Sequence, residues 1–330
     1  MPHPTHHRIP VALASPYDAE VAFGLLAQVG ERVRAYRPAD GKVMVVTAPP
    51  IRRLWGAPLE AGLVAAGLPF HILELPDGEA HKTLGDLETL AETMVAQGAD
   101  RHALLLAFGG GVVGDVGAFL ASIYMRGIPL VHVPTTLLAM VDSSLGGKTG
   151  VNLRSGKNLL GTFYHPRAIL ADPQVLETLP DREYRSGLAA AITSGIIADR
   201  ALFDAMAGEA AALRRRDPAP LETVIPACLR HKAAVVVADE REGDRRQILN
   251  FGHTLGHALE SATGYERYLH GEAVAWGMIA AARIAVHLRR LPESESQRII
   301  AAILALCGPL PPLLEDPDLL LRHAASDKKA

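Results

Sequence analysis

Cysteine is nearly absent: the 330 residues hold two, Cys228 and Cys307, and neither has a C-x-x-C partner. That excludes a disulfide framework and a zinc site built from cysteine. A surplus of either charge is missing too. Acidic residues outnumber basic ones by only 36 to 33, so no global field draws the chain to nucleic acid or to an anionic membrane. Apolar stretches such as Ala273–Ala282 stop well short of the ~20 residues a membrane helix requires. The opening Met-Pro-His-Pro-Thr-His-His-Arg has no apolar segment of the secretory kind, so a reducing, cytoplasmic setting is expected. Internal repeats and low-complexity tracts are also lacking. What remains is ordinary globular composition, 49% hydrophobic and 21% charged, at a length that suggests two domains.

Periodicity divides the chain. In the first half, short β-branched or apolar runs at Val43–Thr47, Phe70–Leu75, Ala103–Phe108 and Leu130–Pro134 read as strands. Between them lie helical patterns at Leu59–Ala66 and at Thr83–Gln97, where Leu84, Leu87, Leu90 and Met94 recur at helical spacing. That alternation predicts an α/β domain with a Rossmann-like parallel sheet, assigned to residues 1–170. The rest, 171–330, reads as an all-α domain. Its Ala- and Leu-rich stretches are Gly187–Ile197, Leu221–Val236, Ile248–Ala262 and Ala273–Leu288, and Ala234–Ala238 is its one strand-like run. A cleft between the domains is the default place for a site.

Three clusters carry chemistry. Gly109-Gly110-Gly111-Val112-Val113-Gly114-Asp115 follows a strand and fits G-x-G-x-x-G. Such a turn admits a pyrophosphate against a helix N-terminus, but it serves equally as a tight strand–helix connection. Asp142-Ser143-Ser144-Leu145-Gly146-Gly147-Lys148-Thr149-Gly150, with Gly156-Lys157-Asn158 behind it, offers two ammonium groups and several neutral donors on flexible backbone. That pattern suits a phosphate or carboxylate. Asp142 stands where a Walker A loop begins with glycine, so a nucleotidase is disfavoured. In Asn250-Phe251-Gly252-His253-Thr254-Leu255-Gly256-His257, the two histidines are one helical turn apart, and His270 can return to them from the next element. Three histidines suit a transition metal, or one of them can carry a proton. Arg245, Arg246 and Lys232 are further cations of this half.

Taken with Pro76-Asp77-Gly78-Glu79, Lys82-Thr83, Tyr124-Met125-Arg126-Gly127, Val133-Pro134-Thr135-Thr136 and Asp239-Glu240-Arg241-Glu242, these motifs resemble the 3-dehydroquinate synthase family from about Val43 to Lys329. The resemblance implies a carbon–oxygen lyase of the shikimate pathway. Such an enzyme converts 3-deoxy-D-arabino-heptulosonate 7-phosphate to 3-dehydroquinate with loss of phosphate, helped by NAD and a divalent metal. It implies NAD held by Asp77, Glu79, Lys82, Gly111, Val112, Val113, Gly114, Asp115, Thr135, Thr136, Lys148, Lys157 and the segment Val175, Leu176, Glu177, Thr178. The sugar phosphate would be gripped by Asp142, Lys148, Asn158, Lys232, Arg246, Asn250 and His257, and by Arg126 across a homodimer interface. One of Lys328 and Lys329 would add a late phosphate contact. The metal would rest on His253 and His270, with His257 facing the substrate. The family pattern is expected to run on past Ala330.

One stretch departs from that pattern. Where the family reads Gly-Leu-Ala-Glu-x-Ile-Lys, this chain reads Gly187-Leu188-Ala189-Ala190-Ala191-Ile192-Thr193. Ala190 replaces the third metal ligand and Thr193 a substrate lysine. Glu183, seven residues earlier, lies ~10 Å away along a helix and is too distant to substitute. A weak zinc or cobalt site is therefore expected. Two alternatives stand beside the lyase: a related cyclase acting on another sugar phosphate, and a catalytically impaired NAD-binding homologue.

Overall fold

The computed structural model describes residues 5–38 and 40–325. The chain divides into two compact units, Met1–Leu179 and Pro180–Ala330. The boundary thus lies nine residues beyond the expected 170/171. The segment after residue 171 belongs with the first unit because Asp172 ties it there: its carboxylate accepts from Gly24 N at 3.1 Å and Leu26 N at 2.9 Å. Trp55 Nε1 also donates to Thr178 Oγ1 at 2.6 Å.

The first unit is a seven-stranded sheet with strands β1 (His7–Val11), β2 (Tyr17–Val21), β3 (Val43–Thr47), β4 (Phe70–Glu74), β5 (Leu104–Gly109), β6 (Leu130–Pro134) and β9 (Ala168–Ala171), in the order β1-β2-β9-β6-β5-β3-β4. All pairings are parallel except β1 with β2. A separate antiparallel hairpin joins β7 (Val151–Leu153) to β8 (Gly156–Leu160). Helices α1 (Val29–Arg34), α2 (Pro49–Ala65), α3 (Leu84–Ala96) and α4 (Gly111–Ile123) complete the unit. Strands β3, β5 and β6 are buried along their whole length, as expected of parallel strands covered on both faces. Helix α3 seats Leu87, Leu90 and Met94 in the core, while Leu84, its first residue, stays exposed. From β3 the chain passes to β4 on one side, then crosses to β5 on the other. The strand order reverses there, and Thr47, Gly109 and Pro134 end the strands on the side where such sheets take ligands.

Strands β1, β2, β7, β8 and β9 are additions to the sequence reading. β1 contains Pro10, a residue that argues against a strand, yet an edge strand leaves its missing N–H unneeded. The Pro49-Pro50 pair behind β3 starts α2 at its first two positions, where proline's lost donor is not required.

The second unit is helical throughout its described residues: α5 (Asp181–Ala198), α6 (Arg200–Gly208), α7 (Ala210–Arg214), α8 (Pro218–Ala238), α9 (His253–Ala262), α10 (His270–His287), α11 (Glu293–Cys307) and α12 (Pro317–Ala325). The run Ala234–Ala238 is the last turn of α8 rather than a strand. Val236 is fully buried and Val237 half exposed, so tertiary packing overrides the β-branched propensity. The expected helix over 248–262 breaks at Gly252, which adopts φ 79°. Residues 245–250 form a 3-10 turn instead. Both cysteines are buried, and neither forms a disulfide. Among the described residues no helix is long and apolar enough to cross a membrane.

Candidate active site

In the first unit the site is built around Lys82, which is 3% exposed. Its ammonium donates to Asp115 on α4 and to Asn158 on β8. Asn158 sits at φ 54°, a left-handed conformation that asparagine tolerates better than most residues, and its amide N donates to Asn152 Oδ1 at 2.9 Å. Asn152 Nδ2 in turn donates to Glu79 Oε1 at 2.8 Å, and Lys157 Nζ lies 3.8 Å from the same oxygen. One network therefore links Glu79, Lys82, Asp115, Lys157 and Asn158, residues assigned separately to cofactor and substrate. Asn152 is the member that sequence reasoning missed. Its one available signal is its place two residues past Gly150 on the strand pairing with Gly156-Lys157-Asn158.

The glycine turn is closed to side chains. A Cβ on Gly109 would meet Val113 at 2.5 Å, and one on Gly110 would meet Thr136 Cγ2 at 2.9 Å. Helix α4 begins here with no side chain capping its N-terminus, so its first N–H groups are directed to whatever anion approaches. Thr135 N donates to Gly109 O at 3.0 Å, and Thr136 Oγ1 accepts from Ala139 N at 3.1 Å. Val113, Val175 and Leu176 are core side chains, so only their backbone is available to a ligand; Val112, Gly111 and Gly114 are half-buried. Asp77, Glu177 and Thr178 are exposed. Behind the turn, burial depresses the His132 imidazole to about 4, so it stays neutral at physiological pH.

Asp142 lies in a π-helical turn, Ala139–Ser143, and is half-buried, while Lys148 is exposed. Gly147, at φ 71°, leaves room for the His165 ring, which a Cβ would approach to 2.8 Å. Arg126 is exposed and follows Met125 in a pair of left-handed residues, φ 48° and 72°. Two such non-glycine residues in succession are strained.

The second unit holds the other cations. Lys232 on α8 is 7% exposed and Arg246 is 2% exposed. Arg246 Nη1 donates to Glu240 O at 2.8 Å, which fixes one edge of the guanidinium. Asp239 shapes the loop: its carboxylate accepts from the backbone N of Gly243 and Asp244, both at 2.8 Å, and of Arg246 at 3.1 Å. Those three N–H groups, Asp244 foremost, hold the Asp239 carboxyl down at about 2. Asn250 ends the 3-10 turn and is half-buried.

The three histidines come together because α9 and α10 pack at backbone distance. A Cβ on Gly277 would lie 1.9 Å from Gly252 O, and one on Gly256 3.1 Å from Val274 Cα. The ring centroids are 5.4 Å apart for His253 and His257, 5.2 Å for His253 and His270, and 5.9 Å for His257 and His270. The structure draws the candidate ligand set differently from the expected pair His253 and His270. Among the described residues, the donors that all lie within 4.8 Å of one another belong to His257, Glu260 and His270. His253 opens α9 with Nδ1 3.3 Å from Phe251 O and stands outside that set. Glu260, which the sequence reading passed over, is one turn from His257 and 5% exposed. Two imidazoles and a carboxylate form a chemically sound set for zinc or cobalt.

On α5, Thr193 is buried. Its hydroxyl lies 3.0 Å from Ala189 O and 3.3 Å from Met278 Sδ, sharing its hydrogen between them. It seals helix packing instead of reaching outward as a lysine would. Ala190 is half-buried and offers only a methyl group. Lys328 and Lys329 lie outside the described residues.

The family profiles described as 3-dehydroquinate synthase N-terminal and C-terminal match residues 72–186 and 187–330. A 3-dehydroquinate synthase of Koribacter versatilis (strain Ellin345) is 47% identical over 324 residues, covering 98% of this chain and 88% of that protein. One of Solibacter usitatus (strain Ellin6076) is 49% identical over 314 residues, covering 95% and 86%. Among solved structures, a 2-deoxy-scyllo-inosose synthase complexed with carbaglucose-6-phosphate, NAD+ and Co2+ superposes with a TM-score of 0.87 at 32% identity, over 98% of this chain and 89% of that one.

Proposed function

We propose, since the chain belongs to the 3-dehydroquinate synthase family, that it eliminates phosphate from 3-deoxy-D-arabino-heptulosonate 7-phosphate to give 3-dehydroquinate, as a cytoplasmic homodimer using NAD and a divalent cation. The carrying observation is the first unit's network of Lys82, Asp115, Asn158, Asn152 and Glu79, together with buried Lys232 and Arg246 on the second. Lys82, Lys232 and Arg246 are buried, and burying a cation is costly unless it is paired or held for use.

Each set has a role. The uncapped α4 N-terminus and its glycines suit the pyrophosphate of NAD, with Asp115, Glu79 and Lys82 set beside it. When bound, NAD supplies a reversible hydride acceptor and the dication supplies Lewis acidity. Arg246, pinned by Glu240 O, presents a fixed fork to the substrate carboxylate, which a lysine could not do. Lys148, Lys232 and Asn250 orient the remaining oxygens, and Arg126 contacts the phosphate. Of His253, His257 and His270, one left off the cation is able to hold or pass a proton near neutral pH.

Phosphate release from the heptulosonate phosphate in the presence of NAD tests the reading, and its absence overturns it. The buried, inward-turned Thr193 hydroxyl favours one second reading, a cyclase for another sugar phosphate. Release from a different member of a sugar-phosphate panel would select it.

A further inference from the structure

We propose that Glu260 is the third protein donor to the divalent cation, supplying the carboxylate that Ala190 no longer provides. The proposal rests on the reading above only for the presence of a cation.

The geometry of α5, α9 and α10 points to it. Gly271 N donates to Ser186 Oγ at 2.9 Å, and a Cβ on Gly271 would lie 2.0 Å from Ser186 O. The α5 backbone therefore abuts the first turn of α10, where His270 stands. Ala190 is one turn beyond Ser186 on the same face, so the α5 side of the cluster ends in a methyl. From the α9 side, His257 and Glu260 project three residues apart. Glu260 Oε2 lies 3.2 Å from His270 Nδ1, and the three donors fall within 4.8 Å of one another. Donors bonded tetrahedrally to zinc or cobalt at about 2.0–2.2 Å stand roughly 3.4 Å apart. Small side-chain rotations close that gap.

The other nearby carboxylate is committed elsewhere. Glu272 receives Arg182 through both oxygens, at 2.7 and 2.8 Å, and accepts from Leu269 N at 2.8 Å. Glu260 is thus the carboxylate positioned to add negative charge to two neutral imidazoles. The competing role is purely orienting: Glu260 accepts the Nδ1 hydrogen of His270 and leaves Nε2 for the metal. A glutamine retains that acceptor but loses the anionic ligand, so the two roles separate.

The test is equilibrium dialysis of the full chain against Co2+, with metal counting and the visible d–d band. The proteins are the wild type, Glu260→Gln, Ala190→Glu and the double variant. Glu260→Gln is expected to weaken Co2+ binding by about 100-fold and to dim the band. Adding Ala190→Glu to it restores most of the loss. In the wild type, Ala190→Glu alone gains less than about tenfold, because a carboxylate is already in place. This last comparison stands even if Glu260→Gln fails to fold. Three results overturn the proposal: Glu260→Gln binding within about threefold of wild type, a gain of about 100-fold from Ala190→Glu alone, or a wild type that takes up no Co2+. Phosphate release is scored separately. Co2+ bound through Glu260 without turnover sinks the lyase reading alone, and turnover with Glu260 irrelevant to binding sinks this proposal alone.

Discussion

The network around Lys82 and the helix face at Ala190 and Thr193 differ in how their side chains are bonded. The difference lies in how each set is held. Lys82, Asp115, Asn158, Asn152 and Glu79 are joined in a chain of hydrogen bonds centred on the buried Lys82, so deleting one weakens the hold on its neighbours. Positions 190 and 193 sit on a single helix. A methyl and a hydroxyl that bonds its own helix fill them at no structural cost. Interlocked side chains resist piecemeal substitution; side chains that bond within one helix do not.

The sharpest way to break this contrast is Lys82→Met. It removes the ammonium that Asp115 and Asn158 share, and urea unfolding should show a loss of about 1–3 kcal/mol, with NAD binding weakened more than about tenfold by calorimetry. A cost below about 1 kcal/mol would mean that the network is not interlocked.

A second effect comes from His132, behind the glycine turn. The folded protein holds its imidazole near 4, whereas the unfolded chain protonates it near the ordinary value of about 6.5. Between those values the unfolded state binds the extra proton, so stability falls as pH drops and is unaffected above about 7. The fall should total about 3 kcal/mol. His132→Gln should flatten that limb in denaturant midpoints measured from pH 7 to 4.

Gly277→Ala comes next. Its new Cβ would fall 1.9 Å from Gly252 O and force α9 from α10, at about 1–3 kcal/mol in thermal or urea unfolding. It should weaken Co2+ binding in parallel, since it spreads His257 from His270. The smallest effect marks the other side of the comparison. Thr193→Val removes a hydroxyl that serves only its own helix and Met278, and should change stability by less than about 1 kcal/mol.

Much of this was legible in the residues. The buried strands β3, β5 and β6 announce themselves as continuous apolar runs, because both faces are covered. The glycine turn, the Lys148 and Lys157 loop and the three histidines stand out because their side chains are chemically unusual for their surroundings. Strands β1, β2 and β9 stayed hidden for the opposite reason. β1 and β2 carry polar or proline interruptions, tolerable only because neighbouring strands supply the hydrogen bonds, and β9 is only four residues long. Glu260 escaped notice because a glutamate late in an amphipathic helix looks solvent-exposed in sequence. Only the glycine-mediated approach of α10 buries it against His270. Asn152 is the same case in the first unit, an ordinary asparagine until the hairpin folds it onto Glu79 and Asn158.

The central claim is best tested by incubating the purified chain with 3-deoxy-D-arabino-heptulosonate 7-phosphate and NAD, with and without added Co2+, following inorganic phosphate and the carbocyclic product by NMR. The account predicts stoichiometric phosphate and 3-dehydroquinate, stimulated by Co2+, with NAD unconsumed. Tight NAD binding with no phosphate released under either condition would contradict it.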